Sequence, residues 1–439
     1  MTRWSPVLPA SILAVFLCAA VFPTSAAADQ RFIVRTDPAL DGPQTIKAVC
    51  GAIGCQVRYA IDGRLGKVFV VTTPDGVDPV AFVGLIASMG GIRNAEIDGV
   101  ARTQTAEAGA VPPALLDTEP IPYFGVTVRR GYVEQPANTI IGISSAYSRY
   151  KLTGQDITVA VIDTGVDPEH PVLAGVLTPG YDFTRDTEGG SELSDLNQST
   201  IAVLDQSTIA VLDQSTIAVL DQSTIAVLDS PEYAAFGHGT MAAGIVHLVA
   251  PQAKIMPLKA FKADGTGYTS DILRAIYHAV DTGAKVINMS FEFGTRSEEF
   301  QEAIAYAYAK RVISVASTGN DGQRVVVYPA GYKHVVGVAS TTNFDTISAF
   351  SNFGPEVAYI GAPGEGIVTT YPFGGYAAVW GTSFSAPFGA GTAALLADQE
   401  NRITARRTVK ALGDAVWISH DIKEGRLDIN AAIGALNND

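Results

Sequence analysis

Ile157-Thr-Val-Ala-Val-Ile162, closed by Asp163-Thr-Gly165, is the stretch on which the fold turns. It is an almost unbroken apolar run of strand length that ends in a carboxylate and a turn. A strand without polar alternation has both faces buried, the habit of a parallel sheet covered by helices. Similar runs follow at Ala253–Leu258, Lys285–Met289, Arg311–Ala316 and His334–Ala339. Helical patterns lie between them at Thr240–Val249, Ser270–Thr282 and Glu298–Ala309, with a further helix expected over Pro387–Asp398. Apolar strands alternating with helices predict an α/β fold with a mostly parallel central sheet.

Upstream, residues 31–102 form a smaller unit. Arg31-Phe-Ile-Val-Arg35 and Lys67–Thr72 read as strands, Gln44–Ile53 and Pro79–Met89 as helices, and Asn94–Arg102 as a last strand. That order predicts a small α+β, ferredoxin-like domain. Residues 105–138 read as a linker and processing region, with Val111-Pro112-Pro113 and a dibasic Arg129-Arg130. Its aromatic part, Tyr123-Phe124-Gly125 to Tyr132, is suited to packing on a domain surface.

The whole chain of 439 residues is 47% hydrophobic and 17% charged, enough to bury a sizeable core. A net charge of −14 repels phosphate backbones and argues against nucleic acid as a partner. Residues 1–28 read as a signal peptide: Arg3, an apolar stretch from Ile12 to Phe22, then Ala26-Ala27-Ala28 before Asp29. The expected location is therefore extracytoplasmic, periplasmic or extracellular, and no other stretch is long and apolar enough to span a membrane. Cys18 would leave with the signal; Cys50 and Cys55 form either one disulfide or two buried thiols. No cysteine follows residue 55, so thiol catalysis is excluded there.

Residues 198–229 hold four identical copies of Gln-Ser-Thr-Ile-Ala-Val-Leu-Asp. A period of eight keeps strand faces in phase and matches no helical repeat. The insertion reads either as a stacked β element beside the functional site or as a tolerated surface expansion.

Three further segments carry chemistry. Asp163 ends its strand, where the carboxyl ends of parallel strands gather functional groups. Gly237-His238-Gly239-Thr240 sets an imidazole at a helix start between two glycines. Gly381-Thr-Ser383-Phe-Ser385-Ala-Pro387 sets a serine near a helix N-terminus, whose dipole favours negative charge. Each alone is weak. Together, in the chain order Asp, His, Ser, they resemble the three signature segments of the subtilisin-like serine proteases, over roughly residues 139–439. That order is not the Ser, acid, His order of the α/β-hydrolases.

The resemblance implies a three-layer fold, a serine endopeptidase with Asp163, His238 and Ser383 as its triad, and an acyl-enzyme route. It implies an oxyanion-hole role for Asn320 in Ser317-Thr-Gly-Asn320. It implies substrate binding by Gly265, Thr266 and Gly267 on one side and by Ser290, Phe291 and Glu292 on the other. Residues 29–104 would then be a propeptide, acting as intramolecular inhibitor and chaperone, cut somewhere between Gln104 and Asn138. Expected partners are protein or peptide substrates, the enzyme working as a monomer.

The chain also departs from the family. No calcium loop is evident after His247-Leu248, so no cofactor is required by this reading. Asp182, Asp186, Glu188, Glu192 and Asp195 would bind calcium or, more simply, line a solvated loop. Glu292 stands where small residues are usual; it either faces the cleft and favours basic side chains or faces solvent. An inactive relative serving as a scaffold is the competing function, and an esterase with the same triad a third. A zinc protease is disfavoured, since none of the six histidines forms a His-Glu-x-x-His helix.

Overall fold

Nine strands form the central sheet, in the order Thr187–Glu188, Tyr181–Asp182, Lys254–Lys259, Thr158–Asp163, Val286–Met289, Ile313–Ser317, Val335–Thr341, Ile360–Pro363 and Gly425–Arg426. All neighbours run parallel except the first pair. The computed structural model describes residues 30–73, 76–103, 106, 109–196, 217–219, 231–400 and 403–437. The signal peptide read at 1–28 lies outside them, as does most of the repeat.

Within the strand Thr158–Asp163, Val159 and Val161 face one core, while Ala160 and Ile162 face another. The first core is closed by the helices His238–Val249 and Thr382–Gln399. The second is closed by Thr269–Asp281 and Glu298–Ala309. The fold is therefore three-layered. Each fully buried Val or Ile contributes on the order of 1.5–3 kcal/mol, so the two-sided apolar pattern holds both layers at once. The chain passes from Thr158–Asp163 to Lys254–Lys259 on one flank and then to Val286–Met289 on the other. Where the order reverses, a crevice opens at the strands' carboxyl ends, and Asp163 stands at that end.

The N-terminal unit is a four-stranded antiparallel sheet in the order Gln56–Ala60, Val68–Thr73, Gln30–Thr36, Ile92–Ile97, with helices Gly42–Ile53 and Pro79–Ala87. This is the ferredoxin-like arrangement. Phe32 and Val34 pack on the unit's own helices. Ile33, Val68 and Val70 turn the other way, onto Leu273, Ile276 and Tyr277 of the larger unit. The flanking arginines of Arg31-Phe-Ile-Val-Arg35 tie down that second face: Arg35 Nη2 is 2.6 Å from Glu299, and Arg31 Nη2 donates to Ser270 Oγ at 2.6 Å. Cys50 and Cys55 are joined in a disulfide.

Three expectations need correction. The single strand expected over Asn94–Arg102 is two strands, Ile92–Ile97 and Val100–Arg102, which belong to different sheets. Asp98 divides them because its carboxylate accepts from Ser270 N at 2.9 Å and so caps the helix Thr269–Asp281. The helix expected over Pro387–Asp398 starts at Thr382, with Pro387 inside it. Residues 109–138, read as a linker, are a packed layer: Leu115, Tyr123, Val128 and Tyr132 are buried in the main core. Tyr123 Oη donates to the Leu248 carbonyl at 2.5 Å and Tyr132 Oη to that of Gly244 at 2.6 Å. The dibasic pair is engaged as well, Arg129 over the Tyr376 ring and Arg130 2.7 Å from Asp117. Of the repeat, Ile217–Val219 is described, as an antiparallel edge strand on Gly375–Val379.

Candidate active site

Asp163 and His238 meet first. The imidazole Nδ1 donates to Asp163 Oδ1 at 2.7 Å, with both side chains buried. Thr164 N also donates to that oxygen at 2.7 Å. Two glycines make the approach possible. Gly237 precedes the helix at φ 88°, a left-handed conformation that favours glycine. A Cβ on Gly239 would stand 1.9 Å from the Gly165 carbonyl oxygen. The strand end and helix start are then laced together, Gly239 N donating to Thr164 Oγ1 at 3.0 Å and Asp167 N to Thr240 Oγ1 at 2.8 Å.

Beneath this join lies Glu192, 1% exposed, accepting from Gly237 N at 2.8 Å and from the Thr240 hydroxyl. Burial pushes its carboxyl up to about 8, against the pull of those donors. The expected solvated acidic loop is thus partly interior. Asp182 pairs with Arg185 at 3.0 Å, and Asp195 with Arg185 at 2.5 Å and with buried Lys259 at 2.6 Å. Asp186 pairs with Arg274, while Glu188 is exposed. Among the described residues, no three His, Cys, Asp or Glu gather as a metal site.

Ser383 is the second residue of its helix and 2% exposed. The ring of the adjacent Phe384 is 5.3 Å from the His238 ring, which brings the serine into the same crevice. Its hydroxyl donates to the Ser290 carbonyl at 3.3 Å, while His238 Nε2 is buried without a hydrogen-bond partner among the described residues. The structure therefore joins Asp163 to His238 and does not join His238 to Ser383.

Asn320 is held by the residue before the serine. Its Oδ1 accepts from Thr382 N at 2.9 Å and Thr382 Oγ1 at 3.0 Å, which sets the amide's donor end. Thr382 and Glu192 are site residues that sequence reasoning missed. Thr382 lay inside a motif already quoted; Glu192 had no signal beyond its acidic neighbours.

The two expected substrate strands are both occupied by the chain itself. Val100, Ala101 and Arg102 pair antiparallel with Tyr268, Gly267 and Thr266. Thr103 N donates to the Gly265 carbonyl at 3.0 Å. On the other side Arg102 N donates to the Glu292 carbonyl at 3.3 Å, and Glu292 N to that of Arg102 at 3.1 Å. Ser290 Oγ donates to the Ser383 carbonyl at 2.7 Å. The Phe291 side chain is in the core against Phe261, 4.9 Å between centroids, so it offers the cleft no side chain. Glu292 is 9% exposed, which corrects the solvent-facing alternative.

These features define a subtilisin-like architecture. The crystal structure of fervidolysin from Fervidobacterium pennivorans, a keratinolytic enzyme related to subtilisin, matches it with a TM-score of 0.70 at 23% identity, over 93% of this chain and 61% of that one. That likeness is one of fold. The Subtilase family model matches residues 154–414, and the chain belongs to that family. The thermophilic serine proteinase of Bacillus sp. (strain AK1) is 33% identical over 66% of this chain, which spans 64% of that relative's length. Thermitase of Thermoactinomyces vulgaris is 33% identical over 56% of this chain and 76% of its own.

Proposed function

We propose that the protein is an exported serine endopeptidase, kept silent by its own N-terminal unit until it cuts itself. The observation that carries this reading is Val100–Thr103, an extended segment bonded on both sides in the crevice. The next described residue, Ala106, donates its N–H to the Trp380 carbonyl at 3.0 Å, three residues before Ser383. The described residues on either side of this stretch, Thr103 and Ala106, are thus both held in the crevice that contains Ser383.

In the reaction, Ser383 Oγ leaves the Ser290 carbonyl for His238 Nε2, on the side of the ring away from Asp163. His238 takes the hydroxyl proton as Oγ attacks the peptide carbonyl, then gives it to the leaving amine. Asp163 holds the Nδ1–H tautomer and stabilises the imidazolium. The Asn320 amide and the Ser383 N–H receive the oxyanion. Water then hydrolyses the acyl-enzyme. Secretion rests on the N-terminal reading; among the described residues no helix is long and apolar enough to cross a membrane.

A scaffold role is the second reading, favoured by the serine hydroxyl's bond to Ser290. One experiment separates the two. The chain lacking residues 1–28 is expressed as wild type and as Ser383→Ala, and self-processing and casein cleavage are measured. The wild type is expected to digest casein and gain a new N-terminus between Thr103 and Ala106, with Ser383→Ala intact and inactive. Folded wild type that does neither would establish the scaffold.

A further inference from the structure

Two carboxylates flank Asn320 that the reaction above does not use. Glu292 Oε2 is buried and has no hydrogen-bond partner among the described residues. The carboxylate lies against Gly319, the residue before Asn320: a Cβ built on Gly319 would meet Glu292 Oε2 at 1.9 Å. The absent side chain at 319 is thus the space the carboxylate fills. Asp321 follows Asn320 directly. Its Oδ2 accepts from Asn352 Nδ2 at 3.0 Å. Glu292 and Asp321 line one cavity of about 830 Å³ between the two units. An acid placed for packing alone would have both oxygens satisfied, because an unpaired buried polar atom costs about 1–3 kcal/mol.

The strand register says which part of a substrate meets them. Across an antiparallel pair, opposite residues share a face, and so do residues two apart on one strand. Arg102 is opposite Glu292. In a substrate strand of this register, the residue two places beyond the one opposite Glu292 would stand opposite Ser290, whose carbonyl receives the Ser383 hydroxyl. Its side chain shares the Glu292 face. A peptide bound in this register presents to Glu292 the side chain on the acyl side of the bond beside Ser383.

We propose that Glu292, set against Gly319 beside Asn320 and supported by Asp321, makes the crevice select a cationic side chain, lysine or arginine, at the residue whose carbonyl is attacked. The proposal rests on the endopeptidase reading and gives that site its substrate class. An ammonium or guanidinium supplies the donors that Glu292 lacks and balances both charges. Burial first, then the Asp321 charge, pushes Glu292 up to about 7. Glu96, Arg102 and Arg296 are the other charged groups on the cavity wall, and Asn320 and Asn352 are neutral. Selection should therefore strengthen as pH rises through about 7 and the carboxylate ionises.

The test uses the full chain after self-cleavage and two peptides that differ only in Arg or Leu before the scissile bond. The kcat/KM ratio of Arg to Leu is expected to exceed about tenfold at pH 8, the scale of a hydrogen-bonded charge pair. It should shrink below pH 7 and collapse in Glu292→Gln, with a smaller loss in Asp321→Asn, an exposed site where folding is not at risk. A ratio near one, or one unchanged in both variants, overturns the proposal. Binding is read separately, by the Tm shift that acetyl-arginine amide and acetyl-leucine amide give the Ser383→Ala chain produced as two pieces, 29–104 and 105–439, after the smaller has been separated from the folded pair. A shift with the arginine compound alone, lost in Glu292→Gln, supports the pocket even if no peptide is cleaved, in which case only the endopeptidase reading fails. Equal shifts, or none, together with an absent cleavage preference, overturn it.

Discussion

At the scale of single residues, the site depends on groups that fix other groups. Thr382 clasps the Asn320 oxygen with both its N–H and its hydroxyl. This orients the amide so that its donor end is the one turned to the proposed oxyanion. Replacing Asn320 by Ala is expected to lower kcat on a peptide substrate about 10²–10³-fold with little change in KM, the size known for an oxyanion-hole asparagine in a subtilisin. An equal loss carried by KM would assign Asn320 to ground-state binding instead. The segments of Asp163, His238, Ser383 and Asn320 were legible as motifs because each is short and marked by glycine. That the side chains of Phe291 and Glu192 are buried was not legible, for a common reason. Which way a side chain turns from its backbone depends on the layer packed behind it, and no local pattern records that.

At the scale of elements, the serine helix shows how one missing donor is replaced from elsewhere. Pro387 has no N–H to offer the carbonyl four residues back, which is that of Ser383. The Ser290 hydroxyl donates there instead, at 2.7 Å, and is itself steadied by Asn288 Nδ2 at 2.9 Å. Ser290→Ala in the Ser383→Ala background should therefore cost about 1–3 kcal/mol in urea unfolding, the penalty of an orphaned buried carbonyl. An unchanged midpoint would mean that another donor serves it. The same proline explains the misplaced helix start. Proline is common at the first helical position, so the pattern predicts a helix from 387. A tertiary hydroxyl lets the helix begin five residues earlier, at Thr382. Five of the parallel strands and three of the helices were legible almost to the residue, since burial on two faces leaves a continuous apolar run. The Asp98 break was not, because the helix that it caps lies about 170 residues away in the chain.

At the scale of the whole molecule, buried acids set how stability varies with pH. Glu192 is raised from the ordinary 4.5 to about 8, so between those values the folded chain holds a proton that the unfolded chain has released. Its contribution is complete below about 4.5 and is lost as pH climbs through about 8. His247 works in the opposite sense: burial lowers it from 6.5 to about 4, so its contribution grows with pH only up to about 6.5. The Tm of the Ser383→Ala chain is therefore expected to fall between about pH 6.5 and 8.5, and Glu192→Gln to flatten that fall. A parallel slope in the variant would show that Glu192 is ionised in the fold.

The segment Val100–Thr103 has a further consequence, one of concentration. While the chain is whole, the strand lying in the crevice is tethered to it, and its effective concentration is set by geometry, about millimolar or more for short tethers. Dilution cannot remove it. Under the proposed self-cleavage, the same contacts would become a bimolecular equilibrium, held by the Arg35–Glu299 pair, the apolar sheet face and the strand pairing. Occupancy would then depend on how much enzyme shares the volume. A crowded population would stay silenced by its own fragments, and one that disperses would become active without any further signal.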